Sequence, residues 1–380
     1  MRHRITLALA SLAIAACGEN DINAPERVAS LALGAGRGAP GAVYTLTNQT
    51  SGNAVAIFDR SANGVLTFAG EVPTGGLGTG GALDSQGAVV LSEDARWLLA
   101  ANAGSDDISV FAVTPSGLTH VQRIASGGVR PVSIAIRNRL VYVLNVGGSG
   151  GIAGFVQDRS GELTPIAGSS RPLSGPDAGA AQISFTPDGG ALIVTERFTN
   201  VIDVYTLNED GLASEPQVHP SAGATPFGFD FGKRGTLVVS EAFGGAPDAS
   251  AASSYFVGRD GALSLVTGSL GTTESSACWL VVSKDGRFAY AANTGSNTVT
   301  GYAIGQDGTL TLLDADGVTG PGADAAPADI ALSQDGQFLY VLTRGTNSVT
   351  GFERRTSDGS LERASVVDGL PVGAVGLAVR

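Results

Sequence analysis

The chain is poor in basic residues, histidine, aromatic residues and cysteine, and each shortage excludes a class of protein. Lys and Arg number 23 against 35 Asp and Glu in 380 residues, which gives a formal net charge of −12, and no basic run follows the N-terminus. Such a field repels polyanions, so we expect no nucleic-acid partner. Anionic membrane surfaces are disfavoured for the same reason, and we expect membrane contact only through the lipid anchor described below.

The shortage of cysteine limits both disulfides and thiol chemistry. Cys17 and Cys278 are the two cysteines of the chain, and if Cys17 is modified, Cys278 has no partner for an internal disulfide. Cys278 lies in the apolar run ACWLVV, and no His or Lys precedes it there. We therefore interpret it as a buried structural thiol rather than a nucleophile. The motifs HExxH and CxxC do not occur in the sequence, so zinc sites of these types are excluded.

The N-terminus predicts export. It reads MRHRITLALASLAIAAC, with two arginines before an apolar run at 5–16 that is too short to span a bilayer as a helix. We predict a signal peptide over residues 1–16. Its end, IAAC, resembles the lipobox of bacterial lipoproteins, which implies lipidation of Cys17; an ordinary signal followed by a chance cysteine is the alternative. Residues 17–40 would then be the lipidated Cys and a flexible spacer, and the protein would be a membrane-anchored lipoprotein of the bacterial cell envelope, on the periplasmic or surface side.

Glycine, in contrast, is abundant, and it recurs at a regular interval. A turn of the type Asp-Gly, Ser-Gly or Asn-Gly, with an apolar residue one or two positions later, occurs seven times, with glycines at 64, 117, 161, 211, 261, 308 and 359. Such turns allow positive φ and force consecutive strands to run antiparallel. Units of four short strands at this interval are typical of propeller blades. The sequence therefore predicts an all-β fold, a seven-bladed β-propeller with four antiparallel strands per blade over residues 41–380.

Two further features predict how the blades pack and how the ring closes. An aromatic residue ends the third strand of each blade, and we interpret these residues as core. They are Phe58, Phe111, Phe155, Tyr205, Tyr255 or Phe256, Tyr302 and Phe352. The first repeat, residues 41–70, lacks an innermost strand, whereas residues 374–379 add a strand at the C-terminus. We predict that this last strand pairs beside residues 43–47 and removes both unpaired edges, and we expect a monomer.

The repeat segments VYVLN at 141–145 and LYVLT at 339–343 resemble the seven-bladed β-propeller lactonase family, which includes 6-phosphogluconolactonase and carboxymuconate lactonising enzyme. The resemblance covers about residues 41–380 and implies, if the protein is active, a lactonase-type hydrolase. Catalytic members of that family carry a His at the start of the innermost strand of a central blade, ahead of a stretch like ISFTPDG. In this chain the corresponding residues 179–182 read GAAQ, and His120 and His219 fall in outer strands.

Antiparallel connectivity predicts which loops share a face. The loop between the second and third strands of each blade lies on the side where the innermost strand begins, so the mouth of the central channel on that side is the expected pocket. At the end of the second strand most blades have Asn, which serves turns well, but two consecutive blades have Glu. The candidate catalytic residues are Glu196, Glu241, Arg197 and Arg130; the candidate ligand-binding residues are Asn145, Gln182, Trp279, Asn293, Asp329 and Arg344.

Three interpretations of the two glutamates stay open. In the first, Glu196 and Glu241 are solvated acids, one of them paired with Arg197. In the second, they are a general acid and base for lactone hydrolysis, and arginines hold the oxyanion. In the third, they are ligands of a divalent cation such as calcium. No other cofactor is expected. The ligand would be a small sugar- or organic-acid-derived lactone or a sugar-acid-like molecule. The alternative function is a non-catalytic cell-envelope propeller that binds a protein or glycan. The insertion at 241–258 is either a lid or a tolerated surface loop.

Overall fold

The computed structural model describes residues 40–380, and this part of the chain folds into seven antiparallel sheets of four strands each. The predicted signal peptide and Cys17 lie outside the described residues, as does the spacer up to residue 39. Among the described residues, two short 3-10 turns, Lys233–Gly235 and Phe243–Gly245, are the only helical elements. Within residues 40–380, no helix has the length and apolar character needed to cross a membrane.

Each sheet is one blade, with its strands ordered from the innermost outward. Blade 1 contains β28 (Val375–Val379), β1 (Gly41–Leu46), β2 (Ala54–Arg60) and β3 (Leu66–Pro73); blade 2 contains β4 (Val89–Leu91), β5 (Trp97–Asn102), β6 (Asp107–Thr114) and β7 (Gly117–Ala125); blade 3 contains β8 (Val129–Arg137), β9 (Leu140–Gly147), β10 (Gly151–Gln157) and β11 (Leu163–Pro165). Blade 4 contains β12 (Ala180–Phe185), β13 (Ala191–Glu196), β14 (Val201–Thr206) and β15 (Gln217–Pro220). Blade 5 contains β16 (Pro226–Phe231), β17 (Thr236–Glu241), β18 (Ala251–Val257) and β19 (Leu263–Gly271); blade 6 contains β20 (Ala277–Val282), β21 (Phe288–Asn293), β22 (Thr298–Ile304) and β23 (Leu310–Leu312); blade 7 contains β24 (Pro327–Leu332), β25 (Phe338–Thr343), β26 (Ser348–Arg354) and β27 (Leu361–Asp368).

The ring closes through the C-terminal strand, as the sequence predicts. Strand β28 pairs antiparallel with β1, with Val379 opposite Val43 and Ala378 opposite Tyr44. The first blade is therefore built from both ends of the described chain. Closure of this kind leaves neither end of the ring with an unpaired innermost edge.

The recurring turn glycines also connect neighbouring blades. All seven have positive φ, for example 79° at Gly64 and 83° at Gly359. Tyrosines on second strands donate hydrogen bonds to the carbonyls of turn glycines in the following blade: Tyr290 OH to Gly359 at 2.7 Å and Tyr340 OH to Gly64 at 2.8 Å. The third-strand aromatics are buried at 0–3% exposure, with Tyr255 rather than Phe256 taking the core position in blade 5. The prediction that they are core is confirmed.

The innermost strands begin with an irregular backbone that decides which side chains reach the channel. A non-glycine residue with left-handed φ precedes or opens the strand in five blades, and these residues are Asp84, Arg130, Thr225, Ser276 and Ala326. One to two residues later, the register against the second strand shifts in blades 3 to 7. Such a bulge re-aims the side chains around it. In blades 3 to 7, the start of the innermost strand is therefore not a regular strand.

Candidate functional site

The channel is crossed by a short segment, residues 83–88, which we call the plug. It follows the Gly-rich connection from blade 1 and leads into the innermost strand of blade 2. Ser85 donates its hydroxyl hydrogen bond to the carbonyl of Val132 in blade 3 at 2.8 Å, and the amide of Gln86 donates to the carbonyl of Ala181 in blade 4 at 3.0 Å. The plug is thus fixed to two blades besides its own.

The far side of the channel also holds the plug. The side chain of Gln86 pairs with the backbone of Leu280 in blade 6, donating from Nε2 at 2.7 Å and accepting at Oε1 at 3.0 Å. The indole Nε1 of Trp279 donates to the carbonyl of Ser85 at 2.9 Å. These bonds join blade 2 to blade 6 across the ring. On the side of Gln86 away from the mouth lies a channel cavity of about 390 Å³, lined by the innermost strands of all seven blades.

Asp84 of the plug lies at the mouth and meets two arginines from opposite parts of the ring. Its carboxylate is 3.7 Å from Nη1 of Arg197 in blade 4 and 3.6 Å from Nη1 of Arg344 at the end of the second strand of blade 7. The Asp84 side chain is 47% exposed, whereas those of Arg197 and Arg344 are 16% and 25% exposed. A carboxylate that solvent can reach is therefore held between two largely buried guanidinium groups.

Aromatic rings support the two guanidinium groups. Trp279 is buried and packs against Phe227 with ring centroids 5.0 Å apart. The Arg344 guanidinium lies over the Trp279 ring at 5.8 Å, and that of Arg197 lies over Phe227 at 5.2 Å and over Phe198 at 5.0 Å. Such stacking restrains a long side chain while its nitrogen atoms stay free to donate. Phe198 is 68% exposed and offers an open apolar surface beside the charges.

The charged side chains at the mouth are mostly positive, whereas the net charge of the whole chain is negative. Burial lowers the pKa of Arg197, the nearby Asp84 carboxylate opposes that shift, and Arg130 adds to it. An arginine begins from so high a pKa that it stays charged. Arg130, Arg197 and Arg344 thus set three positive charges against Asp84 and against Asp106, whose carboxylate accepts from the Arg130 amide at 2.7 Å, in a chain of net charge −12. This local excess favours an anionic ligand.

Cys278 lies beside these residues at the start of the innermost strand of blade 6. It is half-buried, and burial raises the pKa of its thiol to about 11 despite the two nearby arginines. At neutral pH it is therefore a neutral thiol, which agrees with the sequence-based interpretation that it is not a nucleophile.

The two glutamates that the sequence singled out lie elsewhere. Both are fully buried. Glu196 accepts hydrogen bonds from the amide of Ser174 at 2.9 Å and from the hydroxyl of Thr199 at 2.5 Å. Glu241 accepts from the amide of Gly223 at 2.8 Å and the hydroxyl of Ser253 at 2.5 Å, and burial raises its pKa. Each glutamate fixes the connection that leads into its own blade, and neither side chain reaches the mouth.

The two asparagines among the candidates are also used for structure. Asn145 accepts a hydrogen bond from Ser126 Oγ at 2.7 Å, and Asn293 donates to the hydroxyl of Thr300 at 2.8 Å. Both are buried. Their geometry is that of amides that organise strand ends.

Gln182 and Asp329 face the channel cavity beyond the plug rather than the mouth. Gln182 exchanges two hydrogen bonds with the backbone of Phe229 in the next blade, at 2.8 and 2.9 Å. Asp329 Oδ1 accepts from the amide of Ile330 at 2.8 Å, and burial raises the pKa of Asp329 well above its usual range. Of the sequence candidates, the mouth therefore brings together Arg130, Arg197, Trp279 and Arg344.

Two mouth residues were missed by the sequence analysis, Asp84 and Phe198. Asp84 lies in the plug, outside the repeated strands, so the repeat pattern offers no signal for it; Phe198 lies in the loop between β13 and β14. Within residues 40–380, no three His, Cys, Asp or Glu side chains come together as a metal site would require. The long connection of blade 5 spans residues 242–250 between β17 and β18.

The fold and the mouth define the class of protein: a seven-bladed β-propeller with an arginine-rich pocket at one end of a plugged channel. The family described as lactonase, 7-bladed beta-propeller, matches residues 42–172, 157–242 and 261–365. The chain therefore belongs to the seven-bladed β-propeller lactonase family. A search of the curated proteins gave no match.

Solved structures share this fold at low sequence identity. A candidate 6-phosphogluconolactonase from Bacteroides fragilis is 18% identical with a TM-score of 0.66, over 90% of this chain and 98% of the other. The periplasmic gluconolactonase of Pseudomonas aeruginosa is 17% identical with a TM-score of 0.67, over 89% and 99%. A protein from Lactobacillus plantarum is 21% identical with a TM-score of 0.70, over 90% and 99%. At these identities the likeness extends to the fold alone.

Proposed function

We propose that the protein hydrolyses a small lactone derived from a sugar or organic acid, and that the mouth holds the substrate. The observation that carries this proposal is the meeting of Arg197 and Arg344 on the half-exposed carboxylate of Asp84. Lactone hydrolysis needs a base for the attacking water and a cation for the developing oxyanion. Both groups are present at one place, within about 4 Å of each other, where a hydrogen-bond network can form. The membership of the family supports the same reaction.

In the proposed reaction, the substrate ring lies against Phe198, with its carbonyl oxygen toward an arginine. Asp84 takes a proton from a water molecule as the water oxygen bonds to the carbonyl carbon, and the carbonyl oxygen becomes an oxyanion beside Arg197 or Arg344. The intermediate then breaks its ring carbon–oxygen bond, and the leaving alkoxide receives the proton from Asp84. The product is an open hydroxy acid, which releases the proton of its new carboxyl group to solvent, and the resulting carboxylate pairs with the arginines. Arg130, more exposed at the rim, attracts anionic substrates.

The assay is a pH-stat measurement on the purified protein with a panel of sugar lactones, because each hydrolysis releases a proton. Asp84→Asn should lower kcat by at least about 100-fold, as expected for loss of a general base. Glu93→Gln is the matched control, since this acid is exposed and lies on the opposite face, paired with Arg137. Equal loss in both variants, or no turnover of any lactone by the wild type, would defeat the proposed reaction. Repeating the assay in EDTA and in calcium tests whether a divalent cation takes part.

A second function, binding of a cell-envelope protein or glycan without catalysis, is favoured by one observation. The position where catalytic relatives carry a His is within GAAQ at 179–182. Under this proposal the mouth binds an acidic ligand and leaves it unchanged. A thermal shift with gluconate, abolished by Arg344→Gln and accompanied by no turnover, would support binding over hydrolysis. We further propose that the protein is exported and anchored through Cys17, which the signal-like N-terminal sequence supports.

A further inference from the structure

Glu196 holds the connection between blades 3 and 4 from inside. It is the last residue of β13 and is 0% exposed. Both the amide and the hydroxyl of Ser174 donate to its carboxylate, as does the hydroxyl of Thr199. Ser174 belongs to residues 172–179, which lead from blade 3 into the innermost strand of blade 4; we call this stretch the blade 4 connection. Two of these three donors belong to Ser174, so the buried carboxylate fixes the connection at that residue.

A second buried acid, Asp203 on β14, lies against Glu196. It is 0% exposed, and its Oδ1 receives no hydrogen bond from a donor among residues 40–380. Its Oδ2 lies 3.3 Å from the hydroxyl oxygen of Tyr205, whose one hydrogen is shared with the nearer carbonyl of Pro172 at 2.8 Å. Burial, followed by the neighbouring Glu196 carboxylate, raises the pKa of Asp203 to about 8. Two adjacent buried carboxylates cannot both ionise without large repulsion, and one proton between them supplies the donor that Oδ1 lacks.

The corresponding positions in other blades need no such pair. Asn102 donates to the hydroxyl of Ser109 in blade 2, and Asn293 donates to that of Thr300 in blade 6, at 2.9 and 2.8 Å. In blade 5, a serine hydroxyl donates to Glu241. An amide with a hydroxyl, or one acid with a hydroxyl, is therefore sufficient to build a blade of this fold. The two acids of blade 4 are an addition that the fold does not require.

The blade 4 connection leads directly to the mouth. Its last carbonyl, that of Gly179, accepts hydrogen bonds from Nε of Arg197 at 2.9 Å and from the Arg197 amide at 3.3 Å. The carbonyl of Ala178 accepts from the amide of Phe198 at 3.1 Å. The connection thus holds both the guanidinium group and the exposed ring that we assign to substrate. Glu196 and Arg197 are adjacent in sequence, and both contact this connection. Glu196 binds it at Ser174, and Arg197 binds it at its last residue, Gly179.

We propose that Glu196 and Asp203 are a positioning pair that shares one proton, holds the blade 4 connection through Ser174, and thereby fixes Arg197 and Phe198 at the mouth. The role in substrate binding rests on the proposed function; the positioning does not. When the shared proton leaves, two negative charges face each other, Glu196 and Asp203 move apart, and the connection loosens. The mouth is therefore ordered at lower pH and loses order as the pH rises through about 8.

The other titratable groups around the pair are few. Tyr205 donates its hydroxyl to the carbonyl of Pro172 at 2.8 Å, and burial raises its pKa so that it stays neutral. Arg171, just before the connection, pairs with Glu215 at 3.6 Å, and Tyr142 of blade 3 lies near it with a pKa raised by burial. Among residues 40–380, no basic side chain forms a salt bridge with Glu196 or Asp203, so the proton is what relieves their repulsion.

Hydrogen exchange with mass spectrometry tests the positioning without any ligand. The peptides are 172–182 and 191–205 in the wild type and in Asp203→Asn, at pH 6.5 and pH 9, with protection corrected for the intrinsic rate. We expect the protection of the Arg197 and Phe198 amides to fall about tenfold in the wild type, since one pH unit above the pKa leaves about one-tenth of the pair protonated. Asp203→Asn, whose amide donates to Glu196 without titrating, should show no such fall.

Residues 288–302 of blade 6 correspond to residues 191–205 of blade 4 and are the internal control, because Asn293 and Thr300 occupy the positions of Glu196 and Asp203 there and do not titrate. If Asp203→Asn fails to fold, Asp203→Ser, the residue found in blades 2 and 5, replaces it. Equal loss of protection in blades 4 and 6, or a fall that persists in the variant, would overturn the proposal. Restoration of protection by calcium at pH 9 would also overturn it, since a cation would then replace the proton. Because exchange needs no substrate, a failed lactonase assay would leave this result intact.

Discussion

Removing the last strand should unfold the whole propeller, although it removes only ten residues from the end of the chain. Deleting residues 371–380 takes away β28, in which Val375, Leu377 and Val379 are 6–8% exposed. Burial of each of these side chains contributes about 2 kcal/mol, so their loss removes about 6 kcal/mol. That is comparable with the whole stability of a folded domain, about 5–15 kcal/mol. The deletion also exposes the inner edge of β1 to pairing with other molecules.

The measurement is urea denaturation followed by circular dichroism, with Leu377→Ala as a milder variant expected to lose about 2–5 kcal/mol. Val372→Ser is the matched control, since Val372 is 73% exposed and precedes the strand. It should change the free energy of unfolding by less than about 0.5 kcal/mol. A deleted protein with the wild-type midpoint would show that closure by β28 does not hold the ring together.

Three further predictions concern the plug, the buried pair and the anchor. Gln86→Ala should lower the free energy of unfolding by about 2 kcal/mol, because two hydrogen bonds to Leu280 are lost and its backbone groups are left unpaired; an unchanged urea midpoint would contradict the bracing role. The pKa of Asp203 is about 8 in the folded protein and 3.8 in the unfolded chain. The contribution of Asp203 to the free energy of unfolding is therefore full below about pH 4 and is lost as the pH rises to about 8. Asp203→Asn should therefore gain stability relative to the wild type between about pH 5 and pH 8, by up to about 4 kcal/mol, and parallel pH curves for the two proteins would refute the shift. Cys17→Ala should move the protein from the membrane to the soluble fraction, and continued membrane association would rule out the lipid anchor.

The fold could be predicted from the sequence because its determinants are local. Each turn glycine and each third-strand aromatic is visible within a single repeat, and their recurrence fixes the number of blades. The closing strand was predictable from a count, since the first repeat lacks an inner strand and the C-terminus supplies one. The face that carries the mouth followed from antiparallel connectivity alone.

The identity of the mouth residues was less predictable, for two physical reasons. Adjacent residues on a strand point to opposite sides, so Glu196 and Arg197 separate: the glutamate is buried under the blade 4 connection and the arginine reaches Asp84. The irregular start of the innermost strands then changes which side chains face the channel. Asp84 was missed because residues 83–88 leave the repeat pattern, and their path depends on contacts with residues far away in sequence, such as Leu280.

The plug also determines by which route small molecules can enter and leave the mouth. Because Gln86 and Trp279 close the channel below the mouth, the proposed reaction would have one opening for both substrate and product. Release of product would then compete with the approach of the next substrate, and an anionic hydroxy acid held by Arg197 and Arg344 would act as a competitive inhibitor of its own formation. The same hydrogen bonds connect blades 2 and 6 directly across the ring. A deformation that changes the distance between these two blades would therefore have to break them first.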